Sequence, residues 1–275
     1  MTDPDEIRAA TDSRHWVWLV YGEPGVKKTR DIVGRLPGST LILKPPTDHI
    51  DSLRPADKAR VKTWTVNDWD EADRAEDYLR SEGGNWDNVA IDSLSLLQDH
   101  LLDDELETEI NEISRNPKRR LWGPDQGVYG RNMFKLAAFC RHVIGPDLFN
   151  LLIVCHSSTE PLKSPDVDDD GDPIPKLMPW VQGKNMSPKI CGYTHMVTLM
   201  ATNSAGKTFL RTQSNENFYA KDQFHVAPNG VILEPTGDKV VGLINERRAQ
   251  SGAPKSQTAS PRRVRRRVSK GEAAT

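Results

Sequence analysis

Residues 17–31 read VWLVYGEPGVKKTRD, and this stretch is the strongest motif of the chain. An apolar run ends at Gly22, a short loop containing glycine and proline follows, and a helix-like segment begins at Thr29. Strand, glycine-rich turn, lysine, hydroxyl and helix in this order are typical of a phosphate-binding loop. In such a loop backbone N–H groups converge on phosphate oxygens, and the helix N-terminus adds partial positive charge. The stretch therefore predicts a site for the triphosphate of a nucleotide.

The residues of this loop have distinct predicted roles. Lys28 is expected to reach the β and γ phosphates, and Thr29 to hold Mg²⁺ through its hydroxyl. One position departs from the pattern G-x-x-x-x-G-K-[ST], because Lys27 stands where glycine leaves room for the phosphates. The alternative interpretation is a structural turn between strand and helix that carries two solvated lysines. The predicted nucleotide contacts are Gly22, Glu23, Pro24, Gly25, Val26, Lys27, Lys28, Thr29 and Arg30.

Length and composition limit the class of protein. A chain of 275 residues can form one α/β domain with a substantial core, or two small domains. No apolar run approaches the roughly 20 residues that span a bilayer, and the start, MTDPDEIRAATDSR, is too polar for a signal peptide. We therefore expect a cytoplasmic protein with no membrane partner. Cys140, Cys155 and Cys191 are widely spaced in apolar surroundings, which indicates buried thiols rather than disulfides or a zinc site.

Charge is distributed unevenly along the chain. The net charge is −2, but residues 253–275 contain seven basic residues and one acidic residue, which leaves the remainder at −8. The composition of residues 250–275 predicts a disordered tail, and residues 1–14 are expected to be a flexible lead-in. A basic tail on an acidic body is expected to meet a polyanion such as nucleic acid. The predicted DNA contacts of the tail are Arg262, Arg263, Arg265, Arg266 and Arg267.

Hydrophobic periodicity predicts an alternation of strands and helices over residues 15–249. Apolar runs predict strands at 16–21, 40–44, 60–66, 88–93 and 148–155. Helices are predicted to begin at 29 and to cover 70–81, 94–113, 132–144 and 240–248. Residues 195–202 and 207–212 are expected to form a β-hairpin within a β extension at about 193–235. The alternation favours an α/β fold with a mostly parallel central sheet flanked by helices.

Two later strands end in residues that suit a nucleotide site. The run NVAIDS contains Asp92, and a carboxylate at the carboxyl end of a parallel strand can direct Mg²⁺ toward a phosphate loop. Asp92 is alternatively the cap of the helix that follows. The run LFNLLIVC is followed by His156, which is placed to sense a γ-phosphate, although a lone histidine is more often structural.

Two segments combine cations with aromatic side chains, a combination that suits single-stranded nucleic acid through phosphate contact and base stacking. The first follows the helix at 94–113, and its candidate contacts are Lys118, Arg119, Arg120, Trp122, Tyr129 and Arg131. This segment is alternatively a helix–helix connection with Trp122 in the core. The second, residues 161–194, shows no clear periodicity, and its candidate contacts are Lys163, Lys176, Trp180, Lys184 and Lys189. Loops of this length are usually functional or disordered.

Four motifs occur in one order between residues 22 and 158: GEPGVKKT, LILKPPTDHID, NVAIDS and LLIVCHSS. Together they resemble the RecA-like branch of P-loop ATPases. The chain is more closely similar to the phage-encoded AAA family ATPases of tailed phages, which include short RecA-like single-strand annealing proteins. The stretches LRTQSNENFYAKDQF and PKLMPWVQGKN add to this resemblance, which covers residues 14–235.

The resemblance implies a RecA-like P-loop NTPase fold, with ATP and Mg²⁺ as cofactors and a catalytic role for four residues. Lys28 would contact the phosphates, Thr29 would hold Mg²⁺ through its hydroxyl, and Asp92 would hold it through water. Asp48, in an acid–histidine pair after the second strand, would orient the attacking water. Asp48 is one methylene shorter than the usual glutamate, which shortens its reach. His156 stands at the position of a polar nucleotide sensor.

The resemblance also implies partners and leaves two main hypotheses for function. Residues 116–131 and 157–189 match the order of two DNA-facing loops, which implies single-stranded DNA as a ligand. A homo-oligomer, as a filament or ring, is expected, with phage or host replication and recombination proteins as further partners. The first hypothesis is a weak ATPase that supports phage DNA annealing or recombination in the host cytoplasm, with ATP as the switch. The alternative, which Lys27 favours, is a non-hydrolysing nucleotide-binding adaptor or loader for a replicative helicase; a small-metabolite kinase has less support, because no acceptor-site motif is visible.

Overall fold

The computed structural model describes residues 15–114, 126–168, 170–183 and 185–250, and for 108–114 it describes only the backbone. The strands are β1 (Val17–Gly22), β2 (Thr40–Lys44), β3 (Val61–Thr65), β4 (Asn88–Ile91), β5 (Asn150–His156), β6 (Leu162–Val167), β7 (Pro173–Lys176), β8 (Met196–Thr202), β9 (Thr208–Arg211), β10 (Lys221–Asp222) and β11 (Val231–Leu233). The helices are α1 (Pro55–Lys58), α2 (Trp69–Glu82), α3 (Leu94–Ser114), α4 (Gln126–Ile144), α5 (Met186–Tyr193) and α6 (Gly237–Gln250). A short π-type helix, Lys28–Val33, follows β1 and is named the loop helix. None of the helices in these described ranges is long and apolar enough to cross a membrane.

One mixed sheet organises the described residues. Its strand order is β11-β9-β8-β1-β5-β4-β2-β3, and β10 pairs with β8 beside this path. The strands from β8 to β3 in this order are parallel, whereas β9, β10 and β11 are antiparallel to their neighbours. β6 and β7 form a separate antiparallel pair. The predicted α/β fold with a mostly parallel central sheet is therefore confirmed.

β1 lies in the interior of this sheet, between β5 and β8. All of its residues are buried, as expected for a parallel strand that is covered on both faces. Val17, Leu19 and Tyr21 belong to one hydrophobic core. Trp18 and Val20, which alternate with them, belong to the other. The unbroken apolar run that precedes the loop therefore follows from burial on both faces.

Helices cover both faces of the sheet. On one face α2, α3, α4 and α5 contribute buried side chains, among them Leu79, Leu97 and Phe139, to a core with β1, β4 and β5. On the other face the loop helix and α6 contribute Ile32 and Ile244 to a second core. The sheet is thus a middle layer, the arrangement that crossover connections between parallel strands produce.

Most elements follow the sequence pattern, and β2 has its predicted span of 40–44. The interpretation of residues 161–194 as a long loop was wrong, because β6, β7 and α5 lie within it. β6 and β7 contain prolines and mostly exposed or half-exposed residues, so they lack the apolar alternation of a half-buried strand. α4 begins before its predicted start at 132, and Gly127 and Gly130 in its first turns weaken the helical signal there.

The three cysteines lie where their apolar surroundings predicted them to lie. Cys140, Cys155 and Cys191 are buried and free. Burial raises the pKa of the Cys140 thiol to about 12, and likewise that of the Cys191 thiol. These thiols therefore stay protonated and act as small apolar core residues. Residues 1–14 and 251–275, predicted to be flexible and disordered, lie outside the described residues.

Candidate functional site

The carboxyl ends of β1, β2, β4 and β5 border a pocket of about 300 Å³. β5 is the one strand between β1 and β4, so residues that follow these strands meet at one edge of the sheet. The parallel register places Gly22 of β1 beside His156 of β5. The pocket is lined by Pro24, Gly25, Lys27, Lys28, Thr29, Arg30, Asp48, Ser52, Asp92, Ser93, Leu96, Val154 and His156. It therefore brings the loop after β1 together with polar residues from three other strands.

The backbone of the loop depends on two unusual positions. A Cβ added at Gly22 would overlap the carbonyl oxygen of Met200 in β8, so the chain leaves β1 through a glycine. Lys27 has φ 71° and ψ 26°, the left-handed region that costs an L-residue about 1–2 kcal/mol. The carbonyl oxygen of Lys27 accepts a hydrogen bond from the N–H of Asp31 at 2.8 Å, at the start of the loop helix. Lys27 thus keeps a shape that glycine adopts without strain, and its exposed side chain stands at the pocket wall.

Lys28 is the buried cation of the loop. Its side chain is 7 % exposed, and its Nζ donates to the carbonyl oxygens of Gly22 at 2.7 Å and Glu23 at 2.9 Å. Burial lowers the pKa of Lys28, and the nearby carboxylate of Asp92 opposes this shift. The ammonium group is therefore held at the pocket by weak acceptors, which an anionic ligand can replace.

Asp92 and Thr29 lie on the same side of the sheet. Burial raises the pKa of the Asp92 carboxyl to about 7, hydrogen bonding by Thr29 opposes the rise, Asp48 adds to it, and Lys28 opposes it. Asp92 is 4 % exposed, and its Oδ2 has no hydrogen-bond partner among the described residues. The peptide bond between Asp92 and Ser93 is cis. When it is ionised, a buried carboxylate with an unpaired oxygen is able to bind a cation.

These two residues fit Mg²⁺. Magnesium prefers hard oxygen ligands, and at phosphate sites it takes one or two protein ligands together with phosphates and water. Asp92 offers a free carboxylate oxygen, and the Thr29 hydroxyl stands beside the same carboxylate. Within the described ranges no group of three or more His, Cys, Asp or Glu side chains is placed to hold a metal ion. A cation here would therefore take its remaining ligands from a bound phosphate and water.

Asp48 and His156 complete the polar wall of the pocket. Burial raises the pKa of the Asp48 carboxyl, and hydrogen bonding by the backbone of His49 is the main opposing effect. Burial lowers the pKa of the His156 imidazole, the charge of Lys28 lowers it further, and Asp48 opposes this. The backbone after β2 is held by Lys44, whose Nζ donates to the Asp48 carbonyl oxygen at 2.6 Å. A neutral imidazole and a carboxyl group thus face the loop, and both can hydrogen-bond a phosphate or a water molecule.

The loop residues divide into those that line the pocket and those that do not. Gly22, Glu23 and Val26 do not line it, whereas Pro24, Gly25 and the four residues 27–30 do. Arg30 is held by Asp31, with its Nε and Nη2 at 3.0 and 3.1 Å from the carboxylate oxygens. Arg54 also donates to Asp31 at 3.0 Å, so one carboxylate binds two guanidinium groups.

Sequence reasoning missed several lining residues. Ser52, Leu96 and Val154 line the pocket, and none of them carries a signal in the sequence. Ser52 lies in an ordinary polar turn, and the other two occupy regular apolar positions of α3 and β5. Ser93 also lines the pocket, and its place directly after Asp92 in the motif NVAIDS is a usable signal.

Four of the predicted DNA contacts lie on β6, α4 and α5. Lys163 on β6 and Lys189 on α5 are exposed, and Tyr129 on α4 is half-buried. Arg131 on α4 is exposed and pairs with Glu105 at 3.3 Å. Ten predicted contacts lie outside the described residues: Lys118, Arg119, Arg120, Trp122, Lys184, Arg262, Arg263, Arg265, Arg266 and Arg267.

Two predicted DNA contacts have a structural role in the fold. Lys176 is 5 % exposed, and its Nζ bonds to the Asp166 carboxylate at 2.6 Å and to the Ser214 hydroxyl at 3.2 Å. A buried ammonium group with a carboxylate partner is poorly placed to neutralise a phosphate, so the prediction that Lys176 contacts DNA was wrong. Trp180 is half-buried, and its backbone N–H donates to the carbonyl oxygen of His156 at 2.8 Å.

Comparison with protein-family models finds no match for the chain, and comparison with curated proteins finds no similar sequence.

Proposed function

We propose that the protein is an ATP-binding RecA-like P-loop protein that binds single-stranded DNA and supports annealing or recombination. ATP binding and weak hydrolysis act as the switch between states of different DNA affinity. One observation carries the proposal: Lys28, Thr29, Asp48, Asp92 and His156, which come from four strand ends, line one pocket. Phosphoryl transfer needs positioning of the reacting groups and neutralisation of charge. The pocket offers groups that can do both: a cation, a hydroxyl, two carboxyls and an imidazole.

The loop would bind the triphosphate through Lys28 and its backbone. Lys28 now donates to the carbonyl oxygens of Gly22 and Glu23, and it would exchange them for charged phosphate oxygens, which are stronger acceptors. The N-terminus of the loop helix adds partial positive charge at the same place. Lys27 brings a further positive charge to the pocket wall, which favours binding of an anion.

Thr29 and Asp92 would hold Mg²⁺, which neutralises phosphate charge when it is bound. Asp92 would lose its proton on binding, because a metal ligand must be ionised and burial raises the pKa of this carboxyl. Asp48 would hydrogen-bond and orient the attacking water from its place at the pocket wall. Its side chain is one methylene shorter than glutamate, which supports slow rather than fast turnover.

DNA binding is proposed from the exposed lysines Lys163 and Lys189 together with the basic segments outside the described residues. Both lysines lie in the part of the chain that follows His156, so a change at the pocket can reach them through the backbone. Phosphate contacts of this kind make DNA binding depend on salt concentration.

The test of the nucleotide site is Lys28→Ala, with Lys62→Ala as the matched control. Lys62 is an exposed lysine on β3, at the far edge of the sheet from β1. Removal of a charge-assisted contact worth about 1.5–3 kcal/mol weakens ATP binding roughly tenfold or more. Isothermal titration with Mg²⁺ and ATP measures this loss, and the control is expected to bind as the unmodified protein does. Equal ATP affinity in both variants would refute the proposed site.

Phosphate release, measured with and without single-stranded DNA, separates the ATPase from the adaptor or loader. DNA-stimulated release supports the ATPase. ATP binding without any release supports the alternative, a nucleotide-binding adaptor or loader for a replicative helicase. The observation that favours this alternative is Lys27, which replaces the expected glycine at the pocket wall.

A further inference from the structure

A buried serine on α3 connects the pocket to the segment that follows β5. Ser95 is fully buried, and its Oγ accepts a hydrogen bond from the backbone N–H of His156 at 2.9 Å. The same hydroxyl donates to the carbonyl oxygen of Trp180 at 2.7 Å. The backbone N–H of Trp180 in turn donates to the carbonyl oxygen of His156 at 2.8 Å. The Ser95 hydroxyl and one direct backbone hydrogen bond therefore join the lining residue at the end of β5 to a segment that is 24 residues later in the chain.

The chain leaves the pocket wall after His156 and returns at Trp180 to lie beside His156 again. Ser157 forms an isolated antiparallel bridge with Pro179. Ser158 donates its N–H to the carbonyl oxygen of Met178 at 2.8 Å, and its hydroxyl accepts from the Met178 N–H at 3.1 Å. β6 and β7 lie between these anchors, so the hairpin is attached by both of its ends beside His156.

Gln98, one turn after Ser95, provides a second anchor. Its side-chain oxygen accepts from the N–H of Gln182 at 2.7 Å, and its backbone oxygen accepts from the side-chain amide of Asn132 in α4 at 3.2 Å. The first turns of α3 therefore hold both the returning segment and α4. α4 begins at Gln126, within the segment 116–131 that is predicted to contact DNA.

The amide groups of this cluster are incompletely paired. Three buried atoms have no hydrogen-bond partner among the described residues: Gln98 Nε2, Asn132 Oδ1 and Gln182 Oε1. They are one donor and two acceptors, on residues that are already joined by other hydrogen bonds. Unpaired buried polar atoms are unfavourable, and a small shift of the chain that pairs the donor with either acceptor would relieve this. The cluster thus keeps one donor and two acceptors for a second pattern of hydrogen bonds, and a second pattern is what a switch requires.

We propose that Ser95 is a positioning residue that couples polyphosphate binding in the pocket to the placement of residues 157–183, with Gln98 as the second anchor. The proposal rests on the proposed function, which supplies the ligand. A phosphate that draws His156 toward it moves the end of β5, and Ser95 transfers this movement to Trp180 because it bonds to both backbones. The amides around Gln98 then change partners, and the β6–β7 hairpin moves with its anchors.

The test compares Ser95→Ala with Ser39→Ala in the full chain. Ser39 is a fair control because its hydroxyl also makes two hydrogen bonds, both to Asp87, near the amino ends of β2 and β4. Amide hydrogen exchange of residues 157–183 is measured with and without Mg²⁺ and ATP, and ATP affinity is measured by titration. Gln98→Met is a second variant, since it removes the bond to the Gln182 N–H and leaves the pocket lining intact.

The expected result is a change of about fivefold or more in the exchange rate of residues 157–183 when the unmodified protein binds ATP. Ser39→Ala keeps this change, whereas Ser95→Ala and Gln98→Met lose most of it while they still bind ATP. An unmodified protein that binds no ATP would overturn both the proposed function and the coupling. ATP binding with an equal exchange response in Ser95→Ala, or with no response in the unmodified protein, would overturn the coupling alone.

Discussion

Replacement of Lys27 by glycine is expected to stabilise the protein in the absence of ligand. Lys27 has φ 71° and ψ 26°, a left-handed conformation that costs an L-residue about 1–2 kcal/mol. Glycine adopts it freely but loses about 0.5–1 kcal/mol more conformational entropy on folding. The difference is a gain on the order of 0.5–1 kcal/mol in the free energy of unfolding. For a chain of this size, that gain corresponds to a rise in Tm of roughly 1–4 °C.

The matched control for this substitution is Lys27→Ala. Alanine removes the same charge and the same flexible side chain, but it retains the Cβ and therefore the left-handed strain. Urea unfolding of both variants, followed by circular dichroism, measures the two free energies under identical conditions. The difference between the variants isolates the backbone contribution, because charge is equal in both. We expect glycine to be the more stable of the two, and its ATP turnover to equal or exceed that of the unmodified protein.

Equal stability of the glycine and alanine variants would refute this reasoning. It would mean that residue 27 does not hold a left-handed conformation in solution, and that the loop has another shape. A large loss of turnover in the glycine variant, with ATP affinity retained, would instead assign Lys27 a role at the phosphates.

The remaining predictions concern the carboxylate, the exit from β1 and the tail. Burial raises the pKa of Asp92 from 3.8 to about 7, so the folded protein binds this proton more tightly than the unfolded chain does. Stability from this group therefore falls as pH rises from about 4 to about 7. Asp92→Asn should therefore gain stability relative to the unmodified protein between pH 5 and pH 8 in urea unfolding without Mg²⁺, and a pH-independent difference would contradict this. Gly22→Ala should lose about 1–3 kcal/mol, since its Cβ overlaps the Met200 carbonyl oxygen. Gly84→Ala is the control, since its Cβ meets open space and its backbone lies outside the left-handed region, and equal urea midpoints of the two variants would contradict the predicted overlap. Deletion of residues 253–275 removes seven cations. In a salt titration series, the slope of log affinity for single-stranded DNA against log salt concentration should become smaller by up to about five. An unchanged slope would exclude the tail as a DNA contact.

The pattern of apolar runs predicted the central sheet because each parallel strand is buried on both faces. β2 and β4 are short continuous apolar runs that end at polar residues, and such runs leave few alternatives. The same rule placed Asp92 and His156 at one edge, since carboxyl ends of parallel strands meet there. Their convergence with Lys28 on a single pocket follows from strand order, which the sequence indicated only through the resemblance.

The parts that sequence reasoning missed depend on contacts between distant residues. The β6–β7 hairpin has little apolar alternation, because its stability comes from anchors such as Lys176 with Asp166 rather than from a buried face. The hydroxyl of Ser95 donates to the Trp180 carbonyl oxygen, but an isolated serine in a helix carries no periodic signal in the sequence. Lys27 was recognised as a departure from the pattern, but its backbone conformation became evident only with the loop in place.

The position of α6 has a consequence for synthesis on the ribosome. α6 packs on the loop helix, with Asp238 paired to Arg35 at 3.0 Å and Ile244 in the shared core. β1, which precedes the loop helix, is the first strand to be translated. Its neighbours β5 and β8 and the helix α6 that covers it emerge far later. At about 5–20 residues per second, the apolar run 16–21 waits roughly 10–40 s for these partners. Nascent chains that stop before residue 250 would therefore expose this run and depend on chaperones to stay dispersed.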